Sequence, residues 1–299
     1  MNVLAEGTAP YPKVDPDGFR EYVREHKERS LTPKLMSAQE AVSRFVADGD
    51  YLVYDCNYLQ RGPSILIREV IRQARRDLWL CGKFTYVDVG LLVGARCASK
   101  VDCGFFYQGG AIDRALDEGR LEIYEYSNVV MTHRLKAGAM GLPFLPVPDF
   151  AGSALAAHNP LPTVADPFTG EAVHVERALH PDVALIHARA ADEAGNLWIE
   201  DPTTDLAIAG AARRIVATVE ERLPRVPRAT IPSFMVDMVV EEPRGAWPTG
   251  CPGLYPADEA HLQRYLALAE EESEKEYLEA VVRAARRQAE AAQASLEAA

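Results

Sequence analysis

Apolar positions along the chain switch repeatedly between a helical and a strand-like period, which cuts it into short alternating elements. Ala41, Phe45 and Val46 form one face of a helix opening at Ser37, where Ser37 and Glu40 have capping-box spacing, and Asp48-Gly49-Asp50 stops it. YLVYDC (51–56) is a short apolar strand, and SILIREVIRQARR (64–76) reads as the helix after it. Further strands are predicted at 78–81, 101–107, 121–126, 183–188, 197–199, 215–219 and 234–241. Helices are predicted at 111–119, 127–141 and 205–213. The alternation predicts an α/β fold, an open, mostly parallel sheet with helices on both faces.

The ends read differently. Residues 1–35 are a proline- and glycine-bearing extension, an arm lying on the surface, with a charged helix at 19–29 broken at Thr32-Pro33. Residues 36–256 form the main domain. Residues 257–299 are a helical segment with Leu262, Tyr265, Leu266, Tyr277, Leu278, Val281 and Val282 on one stripe, predicted to pack on that domain. Leu142–Val147 carries two prolines and reads as a rigid connector, and 149–180 as a loop region.

Composition narrows the class. At 299 residues, 48% hydrophobic and 25% charged, the chain can bury a large core without disulfides. A net charge of −12 argues against nucleic acid or an anionic membrane as partner. The five cysteines include no CxxC pair and read as reduced thiols, so the expected location is cytoplasmic and no metal site is expected. The N-terminus lacks the basic and apolar regions of a secretory signal, and no apolar run approaches the roughly 20 residues of a membrane helix.

No phosphate-loop, dinucleotide, zinc-protease or nucleophile-elbow motif is present. His187 in an apolar strand reads as a core histidine, His133 as part of a cationic helix face, and Asp237 in FMVDMVV as a structural hydrogen-bond hub. Open parallel sheets bind ligands at the carboxyl ends of their strands, which singles out four loops. The first holds Asn57, Gln60, Arg61, Gly62 and Pro63, with Arg61 a candidate anion clamp and Pro63 opening a helix whose free N–H groups suit an anion. The second holds Cys81, Gly82 and Lys83; the third Phe105, Tyr107, Gln108 and Gly109; the fourth Ser127 and Asn128, an N-cap pair.

The run Gly141-Leu142-Pro143-Phe144-Leu145-Pro146-Val147 resembles a segment of glutaconate CoA-transferase α subunits, members of the family I CoA-transferases. Glu125-Tyr126-Ser127-Asn128 lies upstream at the matching distance, and Asp166-Pro167-Phe168, the VALIHA strand (183–188), Ala191-Asp192-Glu193-Ala194-Gly195-Asn196, Ile231-Pro232 to Asp237, Gly245-Ala246 and Gly253-Leu254-Tyr255 follow in matching order, so that the likeness spans about residues 36–280. The resemblance implies a Rossmann-like CoA-transferase fold and a partner β subunit. It implies a coenzyme A thioester as substrate rather than a permanently bound cofactor. It also implies that the nucleophilic glutamate belongs to that β subunit, with no catalytic residue in this chain. The expected activity is movement of CoA between short dicarboxylic acyl groups through a glutamyl thioester on the partner. The first loop departs from the family's glycine-rich pattern, with Tyr58 and Leu59 where glycines are usual and only Arg61 and Pro63 matching. That departure leaves open a recruited acyl-CoA decarboxylase or hydrolase on the same fold. A non-catalytic ligand-binding domain is the reading from another class.

Overall fold

The computed structural model describes residues 2–8, 14–56, 58–86, 88–106, 109–147, 153–268 and 271–297. In chain order the elements are β1 (Val3–Ala5), α1 (Pro16–His26), α2 (Ala38–Phe45), β2 (Tyr51–Val53), α3 (Ser64–Arg72), β3 (Leu78–Gly82), α4 (Asp88–Gly94), β4 (Ala98–Cys103), α5 (Gly110–Asp117) and β5 (Glu122–Glu125). They continue with α6 (Asn128–Ala139), β6 (Phe144–Pro146), α7 (Ala154–His158), β7 (Thr163–Ala165), β8 (Ala172–Arg177), β9 (Val183–Asp192), β10 (Leu197–Trp198), α8 (Asp205–Ala211) and β11 (Arg214–Leu223). The last are β12 (Met238–Glu241), α9 (Glu259–Leu266) and α10 (Glu271–Glu297).

The large sheet has the order β12-β11-β9-β2-β3-β4-β5, every neighbour in it parallel, with β10 returning antiparallel along β9. Period-two alternation makes both faces core. Leu52, Leu80, Val183 and Leu185 point to the side covered by α2–α5 and α9–α10, while Tyr51, Val53, Ala184 and Ile186 point to the side of α6 and α8. The chain runs outward from β2 through β3, β4 and β5, then returns beside β2 as β9 and runs out the other way. The order therefore reverses between β2 and β9.

The capping box at Ser37 is present, with Glu40 N on Ser37 Oγ at 3.2 Å and Ser37 N on Glu40 Oε2 at 3.1 Å. The predicted strand 51–56 pairs formally only over Tyr51–Val53, but Tyr54 N and Cys56 N still reach Cys81 O and Phe84 O at 3.3 and 2.8 Å. Two stretches escape the sequence reading. Helix α4, DVGLLVG, is buried over its first six residues and so carries no polar stripe. The region read as loop holds α7 and the β7–β8 hairpin. Asp166 turns the hairpin, its Oδ1 accepting Phe168 N and Thr169 N at 2.7 and 3.1 Å, and Gly170 closes it at φ +78°. Strands β1 and β6 complete a second sheet, β1-β7-β8-β6, antiparallel throughout.

The extension carries more structure than an extended arm. Its helix starts three residues earlier than predicted, with Asp15 as N-cap. Lys27 Nζ reaches Asp237 Oδ2 at 2.5 Å and Met235 O at 2.9 Å, and Lys34 Nζ reaches Ser233 O and Val236 O at 2.6 Å each. Asp237 also accepts Ile215 N at 2.6 Å, the hub role read from the sequence. At the other end the single predicted helix is two. α10 lies on α3, α4 and α5, Glu274 pairs with Arg114, and His261 Nε2 meets Tyr277 OH at 2.5 Å.

Candidate functional site at the strand-order reversal

In a doubly wound sheet the loops on either side of a strand-order reversal diverge and leave a crevice at the carboxyl edge. Here the reversal lies between β2 and β9, and residues 58–63 follow β2 at that point. Its backbone is fastened rather than free. Gln60 bridges Gly250, Arg61 N donates to Gly250 O at 2.7 Å, Gly250 N donates to Leu59 O at 2.8 Å, and Gly62 N reaches Thr249 Oγ1 at 2.9 Å. These fastenings hold two non-glycine residues in the left-handed region, Tyr58 at φ +68° and Arg61 at φ +58°, each at a cost of about 1–2 kcal/mol. A cavity of about 510 Å³ opens against the loop, walled by Tyr58, Leu59 and Gln60 on one side and Gly250, Pro252, Tyr255, Pro256, Ala257 and Glu259 on the other.

The four loops meet along this edge. The Tyr58 ring stands edge-on to Phe84 at 5.9 Å, and Phe84 packs on Phe105 at 4.7 Å between centroids. Lys83 Nζ lies 3.9 Å from Asp55 Oδ2, which accepts Thr204 Oγ1 at 2.5 Å. A Cβ at Gly104 would fall 2.3 Å from Asn128 Oδ1 and 2.7 Å from Lys83 O, so the fourth loop abuts the second and third. Asn128 Oδ1 is buried and takes no hydrogen bond. Gly82 is required by the same crowding, since a Cβ there would sit 2.4 Å from Tyr54 O.

Several expected ligand contacts have other work. Arg61 is 2% exposed. Its Nη1 and Nη2 hold Asp205 at 2.6 and 3.2 Å, while Nε reaches Asp201 Oδ1 at 3.1 Å. Burial opposes the charge, but Asp205 and Asp201 outweigh it and raise the guanidinium's pKa. The expected anion clamp is thus an internal one. The α3 start that follows Pro63 is also covered, with Ile65 N on Gly245 O at 3.0 Å and Ser64 Oγ on Ala246 O at 3.0 Å, so Ile65 N is not free for an anion. Cys81 is wholly buried within β3, facing the α6 and α8 side, and burial pushes its thiol far up; it is a core residue, not a lining one. Ser127 caps α6 by accepting Val130 N at 3.1 Å, and Gly109 caps α5 without a side-chain bond. Asn57, Tyr107 and Gln108 lie outside the described residues.

Nothing in the sequence assigns a site role to the opposing segments, 201–205 and 245–259, although Gly253-Leu254-Tyr255 there carries part of the family likeness. Thr203-Thr204-Asp205 is a helix-start pattern and Gly245 to Gly253 a turn-rich run, but only the reversal of strand order places both against β2. Beneath this wall Glu220 Oε1 takes the Tyr255 hydroxyl and lies 3.0 Å from His187 Nε2, and Oε2 takes Arg244 N at 2.5 Å. His187 Nδ1 meets Thr218 Oγ1 at 2.8 Å. Burial holds His187 below its ordinary pKa; for Glu220, burial pushes up but the hydrogen bonds from His187, Tyr255 and Arg244 N prevail and lower it. With Cys251 these form one group among the described residues whose ligand atoms lie within 4.8 Å of one another, the spacing a metal ion would need. Burial pushes the Cys251 thiol up to about 12, and Glu220 is committed to Tyr255 and Arg244. No described helix is long and apolar enough to cross a membrane.

With the edge in place, comparison with known proteins is informative. Residues 35–242 match the family described as Coenzyme A transferase. The chain is 34% identical to the A-type subunit of the 3-oxoadipate CoA-transferase of Pseudomonas knackmussii, covering 79% of this chain and 88% of that protein. A crystal structure of the decarboxylase AibA/AibB superposes with a TM-score of 0.77 at 46% identity, over 84% of this chain and 98% of the other. The structure of glutaconate coenzyme A-transferase from Acidaminococcus fermentans superposes with a TM-score of 0.76 at 27% identity, over 82% and 87%. The open parallel sheet, its reversal between β2 and β9 and these likenesses agree: the chain belongs to the family I CoA-transferases, as an α-type enzyme subunit.

Proposed function

We propose that this chain is the α subunit of a heteromeric acyl-CoA enzyme, transferring CoA between short dicarboxylic acyl groups with a β subunit that supplies the attacking glutamate. One observation carries the reading. The chain is similar to the A subunit of a CoA-transferase named as one subunit of an assembly, and its buried carboxylates near the cavity are engaged internally, Asp55 by Thr204, Asp205 by Arg61, and Glu220 by Tyr255 and Arg244 N, while Glu259 is the exposed carboxylate of the wall. The partner's carboxylate adds to the thioester carbonyl and CoA leaves as thiolate, giving a mixed anhydride. The thiolate then attacks the glutamyl carbonyl of the anhydride, releasing the first acid and forming the glutamyl thioester. The acceptor carboxylate reverses both steps. The chain's part is to hold the thioester along the Tyr58–Phe84–Phe105 wall and to exclude water.

Decarboxylation of an acyl-CoA is the second reading, favoured by one feature of the same edge. Arg61 is fully engaged by aspartates, so a substrate carboxylate lying against the aromatic wall would be desolvated without help from that cation, which promotes loss of CO₂. The 46% identity to a decarboxylase points the same way. Co-expression with a β-type subunit of the same family decides. Mass spectrometry of acyl-CoA plus an acceptor acid is expected to show CoA on the acceptor; release of CO₂ with a shortened acyl-CoA supports the second reading; neither product, over a panel of dicarboxylic thioesters, overturns both.

A further inference from the structure

A bulky residue in the left-handed region is retained only where its surroundings over-determine it, and such outliers gather where a side chain must be aimed. Tyr58 is this case. Leu59 O and Gln60 N, immediately after it, are bound by Gly250 N and Cys56 O at 2.8 Å each, and its own carbonyl takes the Cys56 thiol at 3.2 Å. With the backbone so fixed, the φ of +68° aims the ring. It stands edge-on to Tyr86 at 5.4 Å and to Phe84 at 5.9 Å between centroids, yet remains half exposed in the cavity wall. A buried aromatic would be shielded all round, and a surface one would not need two ring neighbours and a strained backbone. The ring is therefore a rigid stop in the cavity wall, supported by two neighbouring rings.

We infer that Tyr58 sets the upper size of the acyl group, acting as a specificity-determining residue that admits short acyl chains and turns longer ones away. The inference rests on the proposed acyl-CoA function and assigns a size limit within that site. Glycine at 58 keeps the loop conformation, because it adopts this φ without strain, and removes the stop. Each methylene then accommodated is worth about fourfold in affinity.

The test titrates butyryl-, hexanoyl- and octanoyl-CoA into the intact complex of the chain with its β subunit, without acceptor, for the wild type, Tyr58→Gly and Tyr58→Phe. The wild type and Tyr58→Phe are expected to bind octanoyl-CoA about tenfold or more weakly than butyryl-CoA. Tyr58→Gly is expected to reverse that order, by roughly fifteenfold in the octanoyl-to-hexanoyl ratio. Tyr58→Asn, also tolerant of this φ, serves where the glycine variant loses its circular dichroism. The same length profile in all variants overturns the assignment. A wild-type complex that binds neither CoA nor any thioester sinks the reading of function instead, a result distinct from a flat profile.

Discussion

Replacing Arg61 by alanine separates a structural role from a substrate-binding one. The guanidinium is enclosed, and its main partner, the Asp205 carboxylate, is 6% exposed, so truncation strands a buried negative charge. Breaking a buried pair from one side costs about 3–5 kcal/mol. A chain of this length has an unfolding entropy near 0.6 kcal/mol/K, so the melting midpoint should fall by about 5–8 °C. Two companion variants sharpen the reasoning. Arg61→Gly relieves the left-handed backbone at φ +58° and should lose about 1 kcal/mol less than alanine. Arg61→Ala with Asp205→Asn removes both charges and should recover part of the loss. The assay is thermal unfolding of the isolated chain by circular dichroism, alongside acyl-CoA affinity of the complex. A midpoint within about 1 °C of wild type, with affinity lost, would refute this account and make Arg61 the substrate's anion clamp after all.

Two other expectations concern stability. Burial raises the Asp88 carboxyl to about 6, with Arg68 opposing weakly. A raised folded value means the native state binds more protons than the unfolded chain between about pH 4 and 6, so stability falls as pH rises through that window, by about 3 kcal/mol in all. Asp88→Asn should therefore gain on the wild type at pH 7 relative to pH 4 in urea titrations; an equal difference at both pH values would count against it. Lys27→Met removes the buried partner of Asp237, at a cost of about 3 kcal/mol, and should speed limited proteolysis within residues 14–35; unchanged cleavage would show that the lysine does not anchor the extension.

The large sheet was legible because its signals are local. Leu52 and Leu80 alternate with Val53 and Cys81, Ser37 and Glu40 cap a helix, and glycine or proline separates neighbours. What escaped depends on the third dimension. Helix α4 has no polar face to betray its period, and the β7–β8 hairpin is too short to stand out from a proline-rich stretch. The four candidate loops do converge, through Tyr58–Phe84–Phe105 and Lys83–Asp55. The role of Arg61 could not be read from its own loop, since its partners lie 140 and 144 residues away. Cys81 adjoins Gly82 in the sequence, but its strand parity turns it inward.

The fastening of residues 58–63 also sets a timetable. Arg61 closes on Asp205 across 144 residues and Gly62 on Thr249 across 187, so the first link waits for the chain past position 205 and the second for the chain past 249. Closing such long loops is slow and is rewarded only at the end of folding. Whatever docks on this corner finds it complete only once residue 249 has been made, and a nascent chain that has made only the first five strands has no finished crevice to offer.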